Sequence, residues 1–317
     1  MPGFAQVLPA LQPHLDEVEH FRQKCIRQRN ITMLIGLGLL VAAWLTIGVF
    51  NSLTGTGIIA IAGVLALVVA PIRAHGRYRR FFKQRVITAM IKAVNPSLTY
   101  NMKGFVPKAV FIQSKIFLQG PDRYKGEDHI KGRVRETDIE LSELHCQYRS
   151  RDSKGRTQYH TFFKGLFMVA DFHKHFHGRT VVLPDTAERL FGGFGKWLQG
   201  MSFGRGQVVY MEDPDFEKQF VVYGDDQVEA RYILSTSMIR RILDLKQKLD
   251  ARIYLSFVDS NVHLAVHWRR NLFHPKLRHA AKDTDNLRKH YEELMLCLGI
   301  VDDLNLNTRI WSKRVAD

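Results

Sequence analysis

Only three cysteines occur in 317 residues, and Cys25, Cys146 and Cys297 stand far apart with no C-x-x-C pair. This spacing supplies neither a disulfide framework nor a thiolate zinc site, and it fits a reducing compartment. The sequence also lacks H-E-x-x-H and G-x-x-x-x-G-K-[ST], so neither a zincin helix nor a nucleotide-phosphate loop is spelled out. Charge is missing over one long stretch: none falls between Ile31 and Phe50, ITMLIGLGLLVAAWLTIGVF. With 45% hydrophobic residues and a net charge of +15, wholesale disorder is excluded, and the length allows one large or two modest domains.

The 20 uncharged residues Ile31–Phe50 suffice for a helix across a hydrocarbon core of about 30 Å. Asn51 to Gly57 reads as a turn, and Ile58 to Ile72 is a second apolar run that reaches spanning length when counted from Thr54 and ends at Pro71 and Arg73. A signal peptide is the competing reading of the first run, but no A-x-A cleavage pattern follows and a second span comes next. The expectation is an uncleaved helical hairpin over 31–72. Residues 1–95 hold eleven Lys and Arg against three acids, none of the eleven in the turn. The positive-inside rule then places both termini in the cytoplasm and the turn outside. The same asymmetry argues against nucleic acid as a partner, because the remaining +7 is spread over 222 residues. Gly38 and Ala42, with Ala62, Ala66 and Ala70, are small residues at four-residue spacing and are expected at the hairpin seam or in a homo-oligomer. Neither span carries an ionisable side chain, which argues against an ion pathway built by one copy.

Around the hairpin, residues 1–30 read as an amphipathic, basic cytosolic helix with Leu15, Val18, Phe21 and Cys25 on one stripe. Residues 73–96 read as a basic stalk helix stopped by Asn95-Pro96, whose Arg73, Arg77, Arg79, Arg80, Lys83 and Arg85 are expected to face anionic headgroups. Residues 97–317 read as a cytosolic α+β domain with mainly antiparallel sheet and flanking helices. Strands are expected at His129–Arg135, Ile139–Tyr148, Gln158–Val169, Thr180–Leu183, Gln207–Met211, Phe220–Tyr223, Ile253–Val258 and Val262–His267. Hairpin turns are expected at Asp152–Gly155 and Asp259–Asn261. Helices are expected at Met238–Leu249, with Ser235, Thr236 and Ser237 as cap candidates, and at Asp283–Leu298.

Three phrases stand out: Tyr124-x-Gly126-Glu127-Asp128, Phe163-Lys164-Gly165-Leu166-Phe167-Met168-Val169-Ala170-Asp171-Phe172, and Phe220-Val221-Val222-Tyr223-Gly224-Asp225-Asp226-Gln227-Val228-Glu229-Ala230-Arg231-Tyr232. With the preceding hairpin, this combination resembles the bacterial family catalogued as domain of unknown function 3137, over most of residues 70–317. The resemblance implies a bacterial membrane protein with a cytosolic domain and brings no activity, catalytic residue or cofactor with it.

Candidate chemistry is sparse. Asp225, Asp226, Glu229 and Arg231 form a carboxylate-rich group that fits either a membrane-tethered enzyme site or helix capping, since Asp226 and Glu229 stand at capping-box spacing. His173, His175 and His177 recur at two-residue spacing and are weak candidates for a metal site, with a solvated basic loop as the plainer reading. Gly192–Lys196 and Gly200–Gly206 are glycine-rich and read as a lid or loop. No cofactor is implied. The expectation is a membrane-anchored binding or scaffolding protein, non-catalytic, that recognises a protein partner or lipid headgroups. An enzyme with an acidic site near 225–231 and an oligomeric pore are the alternatives.

Overall fold

A computed structural model describes residues 1–50, 53–172, 174, 176–185, 206–268 and 271–306. Asn51 and Ser52 of the expected turn, His173 and His175, and the glycine-rich Gly192–Lys196 and Gly200–Arg205 lie outside the described residues. The chain divides into two compact units, one of Met1–Val94 with Phe273–Glu293, the other of Asn95–Leu272 with Leu294–Asp317. Residues 273–293 thus group with the N-terminal helices, although sequence reading places them in one domain with 97–272.

In the first unit, α1 (Phe4–Phe50) is one uninterrupted helix that merges the expected basic segment with the first apolar run. α2 (Leu53–Phe82) passes through Pro71, which was expected to end the run. A proline inside a helix removes one ladder hydrogen bond; here the helix continues on both sides of it. A single π-helical turn, Lys83–Ile87, leads into α3 (Thr88–Val94), which ends before Asn95-Pro96. The segments flanking the apolar runs pack together: Phe21 stacks on Phe81 at 4.3 Å, and Leu11, Val18, Tyr78, Phe82 and Met90 are buried. Glu19 receives both a bidentate pair from Arg22, at 2.6 and 2.9 Å, and the Ala281 N–H at 2.7 Å. Tyr291 Oη donates to the Pro2 carbonyl at 2.6 Å.

The apolar stretches meet at glycines. A Cβ on Gly63 would lie 2.8 Å from the Gly36 carbonyl oxygen, and one on Gly36 would lie 2.9 Å from that of Gly63. Only a residue without a side chain allows the two backbones this close. Gly36 and Ala43 on α1, with Gly63, Ala66 and Ala70 on α2, form the seam, whereas Ala42 and Ala62 are exposed and Gly38 has open space around it. At the hairpin seam the expected four-residue register therefore holds for Ala66 and Ala70, whereas Gly38, Ala42 and Ala62 lie off it.

The second unit contains a nine-stranded antiparallel sheet of order β1-β2-β3-β4-β9-β8-β5-β7-β6. Its strands are β1 (Thr99–Asn101), β2 (Arg123–Val134), β3 (Thr137–Arg151), β4 (Thr157–Asp171), β5 (Thr180–Pro184), β6 (Gln207–Val208), β7 (Phe220–Gly224), β8 (Arg252–Val258) and β9 (Asn261–His267). Its helices are α4 (Lys108–Gln113), the one-turn α5 (Pro214–Glu217), α6 (Gln227–Ile233) and α7 (Thr236–Leu249). α8 (Thr284–Asp303) begins in the first unit and ends in the second. The fold is thus the expected α+β class: two long apolar N-terminal helices followed by a sheet domain.

Turn chemistry joins the strands. The Asp152 carboxylate accepts N–H bonds from Lys154 and Arg156, and Gly155 takes φ +74° in the β3–β4 turn. Asp259 and Ser260 are both at positive φ, as a two-residue turn matched to strand twist requires. Gly165 sits where a side chain would collide with the Val266 carbonyl of β9, so the backbones approach closely only because this residue lacks a Cβ. Phe111 from α4, with Phe117, Phe163 and Phe167, forms an aromatic core against one face; Phe111 and Phe167 lie 5.1 Å apart. The five central residues of both β8 and β9 are buried, so the middle of the sheet is covered on both faces.

Candidate functional site

Three groups of side chains carry enough chemistry to be weighed. The first is the corner where β7 ends and α6 begins. Asp226 is extended, and one of its carboxylate oxygens accepts the N–H groups of Val228 at 2.7 Å and Glu229 at 2.9 Å, capping α6. Glu229 does not complete a reciprocal capping box. Its two oxygens instead hold the His177 and Gly178 N–H groups at 2.8 and 2.7 Å. Asp225 receives the Arg179 N–H at 3.1 Å and the Arg179 guanidinium at 2.9 Å. Asp225 and Glu229 therefore tie the loop before β5 to the corner, and Asp226 caps α6, so all three carboxylates are engaged. Arg231 lies away from all of them, with contacts of 3.5 Å to the Tyr210 carbonyl and to Gln227, beside a cleft of about 630 Å³ that Leu234 and Ile239 help to line. The cation of the corner is Arg179, which sequence reasoning missed because it lies 46 residues before its partner.

The second group was also missed. Glu127, Asp128 and Glu143 bring carboxylate oxygens within 4.8 Å of one another. The β2–β3 register sets Glu127 opposite Glu143, and a bulge after Glu127 turns Asp128 inward at φ +62°. Asp128 accepts from Tyr100 Oη at 2.6 Å, and Glu143 accepts the Leu272 N–H at 2.8 Å. Three carboxylates suit a hard divalent ion, but all three acids already have protein partners. The only sequence signal was Glu127-Asp128 within the motif around Gly126. His177 contributes its backbone N–H to Glu229, and nothing among the described residues gathers it with other metal ligands.

The third group is the basic flank of the hairpin. Arg79 bonds His274 Nε2 at 2.9 Å, Arg85 pairs with Glu17 at 3.2 Å, and Arg77 donates to Gln28 at 2.7 Å. Arg73 and Arg80 are exposed. Lys83 is fully buried in the π-helical turn and so departs from the expected headgroup-facing set, because that turn rotates it into the helix packing. Gly200-Met201-Ser202-Phe203-Gly204 also carries the letter pattern G-x-S-x-G, a signal the sequence reading passed over; it too lies outside the described residues.

Comparison with known proteins adds little chemistry. No curated protein matches the chain. A solved structure, the mycobacterial trehalose monomycolate transport factor A, TtfA, aligns over 76% of this chain and 99% of its own at 9% identity and a TM-score of 0.34, a likeness too low to carry an argument. Residues 161–306 match the family described as a protein of unknown function (DUF3137), the family that the phrases around Gly165 and Gly224 resemble, over a shorter span than 70–317.

Proposed function

We propose that this chain is a membrane-anchored, non-catalytic binding or scaffolding protein of the bacterial inner membrane. In this reading α1 and α2 cross the bilayer as a hairpin, and both termini and the sheet unit face the cytoplasm. One observation carries it: the apolar stretches turn their large side chains outward. Trp44 is 73% exposed, Ile58 71% and Leu34 67%, and only 11% and 17% of the two most apolar windows are buried. A soluble core helix would bury that surface, because each large apolar side chain left in water forgoes about 1.5–3 kcal/mol. The clustering of Arg and Lys at one end of the hairpin supports the orientation.

Support for a protein partner comes from the sheet unit, where Val228 and Tyr232 stand one turn apart on α6 and are exposed, as are Val208 and Tyr210 beside it. Aromatic and apolar side chains left outward in a group suit protein recognition. The carboxylates of the same corner serve its backbone, which favours binding over an acidic catalytic site there. Alkaline carbonate washing of membranes bearing the full chain tests the anchor: the chain stays with the bilayer, and its release as soluble protein would overturn the reading. A photo-crosslinking residue at Val228 tests the surface; a discrete adduct in living cells is expected, and its absence would remove this face from the account.

A further inference from the structure

Where the apolar stretches of α1 and α2 give way to charge, the two helices leave a cleft of about 690 Å³ between them, within the range of about 300–1,000 Å³ usual for small-molecule sites. Its chemistry is divided. Leu65, Ala66, Val69 and Ala70 form an apolar wall, and Arg29, Arg73 and Arg77 stand at the charged end. Arg73 and Arg77 are four residues apart and share a face of α2. No acidic side chain lines the cleft among the described residues. The acceptors that Arg77 and Arg29 do have are the neutral amides of Gln28, at 2.7 Å, and Asn30, at 2.9 and 3.1 Å. Ala66, Ala70 and Ala74 recur at helical spacing along the cleft, so the space exists because these positions are small.

An inorganic anion would use the arginines and leave the apolar wall without a bound partner, and an apolar ligand would leave three guanidinium groups without a counter-charge. One class of molecule satisfies both halves in the orientation they have. We propose that the cleft binds one anionic phospholipid, its phosphate held by Arg29, Arg73 and Arg77 and an acyl chain laid along Leu65, Ala66, Val69 and Ala70. Guanidinium groups match phosphate oxygens in paired hydrogen bonds, and basic pockets between membrane helices suit anionic headgroups. This inference rests on the membrane-anchored reading of the hairpin. It goes further by separating a stoichiometric lipid site from general attraction to a charged leaflet.

The test is native mass spectrometry of the full-length chain in detergent micelles, titrated with phosphatidylglycerol or with phosphatidylcholine. A single phosphatidylglycerol adduct is expected at a concentration at least tenfold below that needed for phosphatidylcholine, since the arginines gain more from a net anionic headgroup than from a zwitterionic one. Replacing the set by Arg29→Gln, Arg73→Gln and Arg77→Gln should abolish the preference, whereas Arg79→Gln, outside the cleft, should leave it. Ala70→Phe, which fills the wall and keeps every arginine, should lose the adduct at unchanged helix content. Displacement of the lipid by glycerol phosphate at equal concentration would show an anion site without a chain groove and overturn the proposal. A chain that needs detergent but takes both lipids equally, or keeps its preference in the triple variant, would overturn the site and leave the anchor standing. A chain that stays monodisperse without detergent would overturn both.

Discussion

In the helical unit the large apolar side chains of Leu34, Trp44, Ile58 and Ile61 face outward, and the seam between the helices is made of glycine and alanine. In the sheet unit the order is reversed: Phe111, Phe163, Phe167 and Phe257 are fully buried, and the exposed positions of β2 and β3 carry charge. The same residue types thus serve opposite ends in one chain. Burial of apolar area drives the sheet together in water, whereas helices in hydrocarbon gain nothing from hiding leucine and associate through close backbone approach. On the proposed membrane-anchored reading, the contrast is a statement about two solvents.

The contrast breaks most visibly at the aromatic core. Phe163→Ala should cost about 3–5 kcal/mol in denaturant unfolding followed in the sheet unit, while Leu34→Ala should leave that unfolding unchanged. A large effect of Leu34→Ala would mean that the helix face is packed against protein.

Acid should separate the units next. His263, buried on β9, is lowered to about 4 by burial, offset in part by a hydrogen bond with the Ser256 backbone. A depressed histidine is neutral when folded and takes up a proton on unfolding, so its contribution is fully present above the unfolded value of 6.5 and is lost as pH falls through about 4. That difference corresponds to about 3 kcal/mol. Glu19, in the helical unit, is lowered to about 2, chiefly by its hydrogen bonds with Arg22. Its contribution is present above 4.5 and is lost only as pH falls through about 2. Hydrogen exchange resolved by region should show β8 and β9 loosening between pH 6.5 and 4 while residues 15–25 hold until lower pH. His263→Gln should flatten the first response.

How far the sequence foretold each region follows from the same physics. The hairpin was legible because hydropathy over 20 residues is a local signal; of its seam Ala66 and Ala70 were anticipated from spacing, but Gly36 and Gly63 were not, since they are defined only by each other. Eight of the strands were anticipated from β-branched runs and turn residues. β1 was missed because Thr99–Asn101 is short and polar, and half of β2 because Lys125, Gly126 and Glu127 have little strand character on their own. At the candidate corner Asp226 was readable as a cap from spacing, while Asp225 with Arg179 and Glu229 with His177 and Gly178 are contacts across some fifty residues. The Glu127–Asp128–Glu143 group needed both the strand register and the bulge.

Smaller effects sharpen the comparison. Gly63→Val should force the helices apart and cost about 1–3 kcal/mol through overpacking, read as a fall in cross-linking between cysteines placed at Ala43 and Thr56. Gly38→Ala, which meets open space, should leave cross-linking unchanged. Smallest of all, Asp226→Asn should keep most of the stability of the sheet unit, whereas Asp226→Ala should lower it by about 0.5–2 kcal/mol, as removal of a cap does. Equal loss in both would mean that the charge, and not the acceptor, is what α6 requires.

The central claim, that one region lives in lipid and the other in the cytoplasm, is tested most directly by single cysteines at Thr54 and Ser153 in a cysteine-free chain, exposed to a membrane-impermeant maleimide from outside intact bacterial cells. The account predicts labelling at position 54 and none at 153 until the cells are opened. Labelling of both positions, or of 153 alone, would contradict it.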